Sequence, residues 1–512
     1  MALDVGAVQV PGLTTKHTPR SLRGGAKRRI RAVPGLPLHQ TMFSHLNTVG
    51  NMAWAVRERV LGSVVDGEWV ETIKPTTFAT ADMRKIRDQV VRRLPKRMIP
   101  LPREKLVAEM SGARKVRYQR AAESLVTKPL SKEDAHINAF IKAEKWAEVK
   151  APRVISPRDP RYLLEVGRYL LPVEKQVYRA FEKVAKYPII MKGYTPVRRA
   201  GVLRTHWESF NDPVGIGLDA SKFDQHVSVK ALEFEHAFYR AMYPGDTCLP
   251  ELLGWQLHNT VYFNGSDGKC KWTTEGGRMS GDINTALGNC ILSATMLLAY
   301  AKELGILIKC VVDGDDCVAI MERRDAERFR SRIKEWYLAR GFRMKVEDTV
   351  DEFEKIEFCQ SQPVCVAGEW LMVRNPRKAL RNDCAWVEDG SISHQEVVAA
   401  TGVGGLSLYA GVPVLQSLYT MMTRASPITK RAKKVIGDQG SWLRWAGEVG
   451  RTRPITDGTR ISFWVAFGID PAVQIALESE LASVPIAARL QEKITEITYK
   501  QPDLLDYWRS LI

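Results

Sequence analysis

The feature that most constrains the fold is a pair of short apolar runs, residues 306–312 and 317–321, joined by the tetrapeptide Asp-Gly-Asp-Asp at 313–316. A short polar connection containing Gly between two β-rich runs is typical of a β-hairpin. Adjacent carboxylates at the end of buried strands repel each other unless a cation lies between them. Taken alone, however, such a turn is more often an exposed acidic loop than a metal site.

A second group of acids follows another apolar run. Residues 214–218 lead directly into Asp219, and Asp224 follows five positions later. If this run lies beside the predicted hairpin in one sheet, Asp219 and Asp315 come together as ligands for two divalent cations about 4 Å apart. Mg²⁺ prefers carboxylate oxygens combined with substrate phosphates. The arrangement would therefore suit nucleotidyl transfer, although an isolated pair of this kind is usually a solvated turn.

A glycine-rich segment at 276–289 leads into a long helix predicted over 283–304. Its small residues permit close approach of the main chain to a ligand. Thr285 and Asn289 are four residues apart, so both lie on one face of the helix. Each of the three motifs has an ordinary structural explanation by itself, but their combined order and spacing favour a catalytic site.

The order of the predicted elements indicates an α+β domain. From residue 214 the chain reads as a strand, a region of helices, the long helix, the hairpin, a helix over 325–340 and further short strands. Such helices are expected to pack on one face of a small antiparallel sheet. Apolar residues at helical spacing also predict helices over 52–64 and 131–145, and residues 390–512 are predicted to be mainly helical.

The charge balance indicates a polyanionic partner. Lys and Arg number 75 against 58 Asp and Glu, giving a net charge of +17 at neutral pH. Such an excess favours nucleic acid or an anionic membrane surface as the partner. Residues 1–35 are rich in Gly, Pro and basic residues, and we predict a flexible arm that is either solvated or in contact with RNA phosphates or acidic lipid.

Other classes of site have little support in the sequence. None of the 8 cysteines forms a Cys-x-x-Cys pair or lies beside a close histidine pair, which argues against a zinc site. This usage fits reduced thiols in the cytosol. The first 15 residues lack the regions of a signal peptide, and no apolar run of about 18 residues predicts a membrane-spanning helix.

Together these motifs resemble those of viral RNA-dependent RNA polymerases, especially the tombusvirus and carmovirus group of plant viruses, with luteovirus and umbravirus polymerases close by. The resemblance is clear over residues 140–366. Motif A is matched by Asp219 and Asp224, motif B by Ser280, Gly281, Thr285 and Asn289, and motif C by Gly314, Asp315 and Asp316. Motif D is matched by Gly341 and Lys345, motif E by Phe358, Cys359, Gln360 and Pro363, and motif F by Lys142, Lys145, Arg153, Ile155, Arg158 and Arg161.

The resemblance implies a right-hand polymerase fold, with fingers, a palm and a helical thumb. The palm is expected to carry an antiparallel sheet like that of the RNA-recognition motif. The expected divisions are fingers over 36–205, with motif F near 142–161, a palm over 206–366 and a thumb over 367–512. An insertion that belongs to the fingers is expected within the palm, at 226–275.

The resemblance also implies roles for these residues. Asp219, Asp315 and Asp316 would bind two Mg²⁺ ions, for which Mn²⁺ can substitute. Lys345 would be the general acid for the leaving pyrophosphate. The residues implied in nucleotide binding are Lys142, Arg153 and Arg158 at the triphosphate and Asp224, Ser280, Gly281, Thr285 and Asn289 near the ribose, whose 2′-OH distinguishes RNA precursors. The residues implied in RNA binding are Lys145, Arg161, Cys359 and Gln360.

The partners implied by the resemblance are the viral RNA template and product and the four NTPs. In that group the polymerase is often the C-terminal part of a longer product. A viral auxiliary replication protein is therefore expected to supply membrane anchoring at replication complexes in the host cytoplasm. The resemblance further implies initiation without a primer, but no initiation loop is recognisable in the sequence, and host factors are not identifiable from it.

Two competing interpretations remain at this stage. A reverse transcriptase shares the two-metal palm but needs an aromatic residue where this chain has Asp224, a hydrogen-bond acceptor that suits ribose. A non-enzymatic RNA-binding or capsid-type protein would explain the net charge. That second interpretation leaves the acids at 219, 315 and 316 without a function.

Overall fold

A computed structural model describes residues 2–3, 10–18, 29–33, 42–388, 393–427, 429 and 451–490. The strands are β1 (Ala2–Leu3), β2 (Thr14–His17), β3 (Arg29–Ala32), β4 (Ser44–His45), β5 (Gly62–Val65), β6 (Glu68–Glu71), β7 (Ile137–Ile141), β8 (Val154–Ile155), β9 (Pro213–Ala220), β10 (His258–Gly265), β11 (Gly268–Glu275), β12 (Ile308–Asp313), β13 (Asp316–Glu322), β14 (Met344–Val350), β15 (Ser361–Val366), β16 (Glu369–Arg374) and β17 (Ala385–Glu388). The helices are α1 (Val49–Val56), α2 (Ala81–Val91), α3 (Arg103–Ala108), α4 (Gly112–Thr127), α5 (Pro160–Leu170), α6 (Glu174–Ala185), α7 (Pro196–Trp207), α8 (Phe223–His226), α9 (Val229–Arg240), α10 (Cys248–Gly254), α11 (Thr285–Leu304), α12 (Arg323–Leu338), α13 (Pro376–Asp383), α14 (His394–Tyr409), α15 (Leu415–Thr423), α16 (Asp457–Phe467), α17 (Pro471–Ser483) and α18 (Ile486–Arg489).

A four-stranded antiparallel sheet of order β12-β13-β9-β14 contains the predicted hairpin. Side chains alternate between the two faces of a strand. Cys317, Ala319 and Met321 of β13 therefore join the large core that includes α11 and α12. Val318 and Ile320 face a second core that includes residues of α7. The α+β class is as predicted, but helices cover both faces of this sheet because both faces are apolar.

A second sheet, of order β2-β11-β10-β7-β8, overturns one predicted helix. The segment expected to be helical over 131–145 contains only a 3₁₀ turn, Lys132–Ala135, before β7. In β7 every second residue is buried, a period of two that outweighs the apolar spacing of the wider segment. The helix expected over 52–64 is also shorter, because α1 ends at Val56 and a π-helical turn leads into β5.

The N-terminal residues connect distant parts of the chain. β2 pairs with β11, whereas β3 pairs with β17. These two stretches of the predicted arm are therefore strands, and the basic positions between 19 and 28 lie outside the described residues. Val33, next to β3, is buried in the core formed mainly by residues after 363.

The C-terminal part is mainly helical within its described residues, as predicted, and packs around its own core from α13 to α18. Among the described residues, no single helix has both the length and the apolarity of a membrane span. The pair α16 and α17 meets that criterion only jointly, and the two helices are bent by 100° relative to each other. All 8 cysteines are unpaired, in agreement with reduced thiols.

Candidate active site

The sheet register brings the predicted catalytic acids together. In the ladder between β13 and β9, Asp316 lies directly opposite Asp219. Directly opposed residues of an antiparallel pair have Cβ atoms about 5 Å apart and share one face of the sheet. Asp315 lies in the turn that joins β12 to β13. Asp219 and the adjacent pair Asp315 and Asp316 therefore lie at one end of the sheet, although almost a hundred residues separate them in the chain.

Burial and mutual repulsion raise the pKa values of Asp315 and Asp316. Burial, followed by the charges of Asp315 and Asp219, raises the pKa of Asp316 to about 6. Desolvation within the cleft, followed by the charge of Asp219, also raises the pKa of Asp315, although its side chain borders solvent. Clustered carboxylates with insufficient positive charge nearby are suited to a divalent cation. Within the described residues, however, no three His, Cys, Asp or Glu side chains already have the spacing of a metal site.

Helix α11 holds the turn of the hairpin in place. The Ser293 hydroxyl donates a hydrogen bond of 2.6 Å to the carbonyl of Gly314. The amide of Gly314 in turn donates to Cys290 Sγ at 3.2 Å. Both contacts come from one buried face of α11, so the position of Asp315 depends on the packing of a helix that sequence analysis related only to Thr285 and Asn289.

The acid before the turn differs from its neighbours because cations neutralise it. Arg199 forms an ion pair with Asp313, and Lys192 Nζ lies 3.3 Å from the Asp313 carboxylate. Cys359 Sγ lies 3.9 Å from the same group. Sequence analysis missed Lys192 and Arg199, since only the general excess of basic residues pointed to them. Asp313 is therefore ion-paired within the protein, whereas among the described residues Asp219, Asp315 and Asp316 form no ion pair.

Motif B residues meet motif A beside these acids. Asn289 Nδ2 donates a hydrogen bond of 2.9 Å to Asp224 Oδ1. The Thr285 hydroxyl instead donates to the main-chain carbonyls of residues 279 and 282. Ser280 Oγ accepts a hydrogen bond of 3.0 Å from the amide of Ser156. The two hydroxyls thus brace the loop, and the pair Asp224–Asn289 is the part arranged for a ligand.

Gly281 makes its close approach to protein. A Cβ atom at this position would come within 2.6 Å of Pro157 Cα. The small residues were predicted to make room for a ligand. At Gly281, however, the absence of a side chain makes room for the neighbouring main chain. The loop of motif B consequently lies directly against the segment that carries motif F.

A cavity of about 450 Å³ opens beside the acids. Its lining includes predicted residues of motifs A, B, C and F, namely Lys142, Arg153, Ile155, Asp224, Ser280 and Asp315. Glu144 lies between two of the cations, at 3.2 Å from Lys142 Nζ and 3.7 Å from Arg153 Nε. The cavity thus combines fixed cations with the acids of the sheet, which is suitable for a polyphosphate bound together with divalent cations.

Three other basic residues of this segment point away from the cavity. The Arg158 guanidinium is buried in an ion pair with Asp282. Arg161 is paired with Asp134 at 3.0 Å. The Lys145 ammonium donates to the main-chain carbonyls of residues 382 and 385. The structure therefore brings Lys142 and Arg153 to the cavity. Arg158, predicted to contact the nucleotide, and Lys145 and Arg161, predicted to contact RNA, instead have partners within the protein.

The remaining predicted residues are Lys345 of motif D and Cys359 and Gln360 of motif E. Lys345 on β14 is directly opposite Asp219 on β9, so the two side chains share a face. Lys345 is exposed. Cys359 and Gln360 both have left-handed backbone conformations, with φ of 53° and 58°. They form the tight turn before β15, and Gln360 is exposed at that turn.

Comparisons with known proteins find matches along most of the chain. A family model described as viral RNA dependent RNA polymerase matches residues 15–489. The RNA-directed RNA polymerase of Cucumber necrosis virus is 38% identical over 502 residues, covering 93% of this chain and 60% of that protein. The corresponding protein of Tomato bushy stunt virus (strain Cherry) is 39% identical over 463 residues, covering 89% of this chain and 56% of that protein.

A third relative is the RNA-directed RNA polymerase of Turnip crinkle virus. It is 37% identical over 470 residues, covering 88% of this chain and 59% of that protein. The chain therefore spans between 56% and 60% of the length of these three curated relatives.

Proposed function

The chain belongs to the family of viral RNA-dependent RNA polymerases, and from this premise we propose that it synthesises RNA on the RNA template of a positive-strand virus. The observation that carries the proposal is the register of Asp219 against Asp316, with Asp315 in the adjoining turn. Of these three acids, Asp315 borders the cavity that Lys142 and Arg153 also line. The juxtaposition of paired acids and fixed cations is what nucleotidyl transfer requires.

The proposed chemistry is attack of an RNA 3′-hydroxyl on the α-phosphate of an NTP, with release of pyrophosphate. Two Mg²⁺ ions, or Mn²⁺ in their place, would be held by Asp219, Asp315 and Asp316, and would lower the pKa of the attacking hydroxyl and offset phosphate charge. The raised pKa values of Asp315 and Asp316 support this assignment, because a carboxylate cluster that repels itself gains most from a cation.

Motif F and motif A residues would orient the nucleotide. Lys142 and Arg153 would contact the triphosphate, exchanging their shared partner Glu144 for phosphate oxygens. Asp224, fixed by Asn289, would accept a hydrogen bond from the ribose 2′-OH. Because Arg158 is already paired with Asp282, its part is to hold motif F against motif B.

Lys345 would donate the proton to the leaving pyrophosphate. Its position opposite Asp219 supports that role, because the two side chains share one face of the sheet. Cys359 and Gln360 would contact the growing strand. Initiation without a primer, the auxiliary protein for membrane anchoring and the site of replication in the host cytoplasm follow only from family resemblance.

Incorporation of labelled nucleotide on an RNA template, with Mg²⁺ and separately with Mn²⁺, tests the proposal. We expect Asp315→Ala to reduce incorporation at least about a thousandfold, because several kcal/mol of charge stabilisation are lost. RNA binding should persist in this variant. Asp348→Ala, which removes an exposed acid from β14, is the matched control and should retain activity.

The same assay distinguishes the competing functions. A non-enzymatic RNA-binding protein would bind template but incorporate nothing. A reverse transcriptase would incorporate dNTPs in preference to NTPs on the same template. Either result with the unaltered chain would contradict the proposed function.

A further inference from the structure

A fully buried ion pair lies beneath the proposed ribose site. Arg278 and Glu235 form it, and neither side chain has any exposed surface. Glu235 also accepts hydrogen bonds from Tyr239 at 2.7 Å and from Asn284 at 2.8 Å. Although burial opposes ionisation, Arg278 holds the pKa of Glu235 below its usual value. The pair is therefore ionised and well satisfied at neutral pH.

Arg278 also contacts the side-chain amide of motif B. Its Nε atom donates a hydrogen bond of 3.1 Å to Asn289 Oδ1. With the oxygen of the amide fixed in this way, the Nδ2 atom must face Asp224, to which it donates at 2.9 Å. The main-chain amide of Arg278 also donates a 2.7 Å hydrogen bond to the carbonyl of Asp224. Arg278 therefore controls both the main chain and the carboxylate partner of residue 224.

The carboxylate of Asp224 is left with one oxygen for a ligand. Its Oδ1 atom accepts from Asn289, whereas no hydrogen bond within the described part of the chain reaches Oδ2. Asp224 lines the cavity of about 450 Å³. The orientation of the Asn289 amide thus decides which carboxylate oxygen remains available to a nucleotide.

The packing of α11 leaves space for the ion pair. Gly288 lies next to Asn289, and a Cβ atom at position 288 would overlap both Glu235 Oε1 and Arg278 Nη2. A side chain there would displace the ion pair without touching Asp224. The glycine therefore offers an independent way to disturb Arg278.

We propose that Arg278, anchored by Glu235, is a positioning residue that orients Asn289 and thereby sets Asp224 to recognise the ribose 2′-OH. This inference rests on the proposed polymerase function and adds the source of its selectivity for ribose. Net stabilisation does not explain the arrangement, because a buried ion pair is often no more stabilising than apolar side chains of similar volume. The hydrogen bond from Nε to Asn289 is the feature that apolar side chains could not replace.

The test measures selectivity, defined as the ratio of kcat/KM for an NTP to that for the matching 2′-deoxy NTP on one RNA template. Arg278→Lys retains a charge partner for Glu235 but loses the Nε donor to Asn289. We expect its selectivity to fall about tenfold, the value of one hydrogen bond to an oriented polar pair. Gly288→Ala should lower selectivity in the same direction and covers the case in which Arg278→Lys does not fold.

Arg374→Lys is the control, because Arg374 forms an ion pair with Asp383 at 2.7 Å that is largely buried and lies far along the chain. A general loss of stability would lower kcat/KM for both nucleotides equally and leave selectivity unchanged. If folded Arg278→Lys and Gly288→Ala keep the selectivity of the unaltered chain while Asp224→Ala loses it, Arg278 has no positioning role. The role of Asp224 would then still stand. If Asp224→Ala also retains selectivity, the inference is wrong although polymerase activity stands. Absence of NTP incorporation by the unaltered chain would instead refute the proposed function.

Discussion

The basic segment between residues 142 and 161 contains two groups of cations in opposite environments. Lys142 and Arg153 are exposed over 41% and 55% of their side chains and border the cavity. The Arg158 side chain is only 1% exposed and is ion-paired with Asp282. Arg158 also donates to Asn259 at 2.7 Å, so nearly all of its hydrogen-bonding capacity is used within the protein.

These two environments show that the role of a basic side chain is not determined by its residue type or by its position within a motif. An exposed guanidinium whose carboxylate partner lies 3.7 Å away can exchange that partner for phosphate. A buried guanidinium with several fixed partners cannot leave them without exposing a costly unpaired charge. The first group therefore belongs to the ligand site, whereas the second belongs to the framework that supports it.

The largest expected effect concerns the framework. We predict that Arg158→Ala lowers the free energy of unfolding by about 3–5 kcal/mol, because Asp282 is left as an uncompensated buried charge. Thermal unfolding at neutral pH measures this, with Arg153→Ala as the comparison. Equal losses in the two variants would remove the distinction between the two groups.

Lys145 extends the comparison, because it is intermediate in burial and has carbonyls rather than a carboxylate as its hydrogen-bond partners. Burial lowers its pKa to about 8, against a partly opposing effect of Asp383. Between pH 8 and 10.5 the unfolded chain keeps a proton that the folded chain releases, so stability should rise with pH in this interval.

The gain from Lys145 should be about 2–3 kcal/mol across that interval. Chemical denaturation at several pH values, with Lys145→Met as reference, isolates this contribution. If the free energy of unfolding of Lys145→Met depended on pH in the same way as that of the unaltered chain, burial would not be lowering the pKa of Lys145.

The smallest expected effect concerns the ligand side. We predict that Arg153→Ala raises the KM for NTPs by about 10–100-fold with little change in the melting temperature, since one charge-assisted contact contributes about 1.5–3 kcal/mol. Steady-state incorporation measures it. Lys150→Ala, which removes an exposed cation paired with Glu148, should leave KM unchanged. An unchanged KM in Arg153→Ala would exclude Arg153 from the triphosphate site.

Local elements were predictable where one regular pattern dominates. The hairpin appears as β12 and β13, and the predicted helix over 325–340 appears as α12. The segment over 131–145 was predicted wrongly, because β7 gains its stability from β10 and β8, which follow it in the chain. The propensity of a short segment does not show which strands it will pair with, and the stability of a strand depends on those partners.

The sequence by itself determined the family, the order of the motifs and the identity of the acids that meet at 219, 315 and 316. These depend on local patterns and on the spacing of residues within each motif. The tertiary structure was needed to show that Asp313 is neutralised by Arg199, 114 residues away, and that Arg158 faces the interior. The physical reason is that burial and counter-charge arise from contacts between distant segments, and these contacts set the protonation and availability of a side chain.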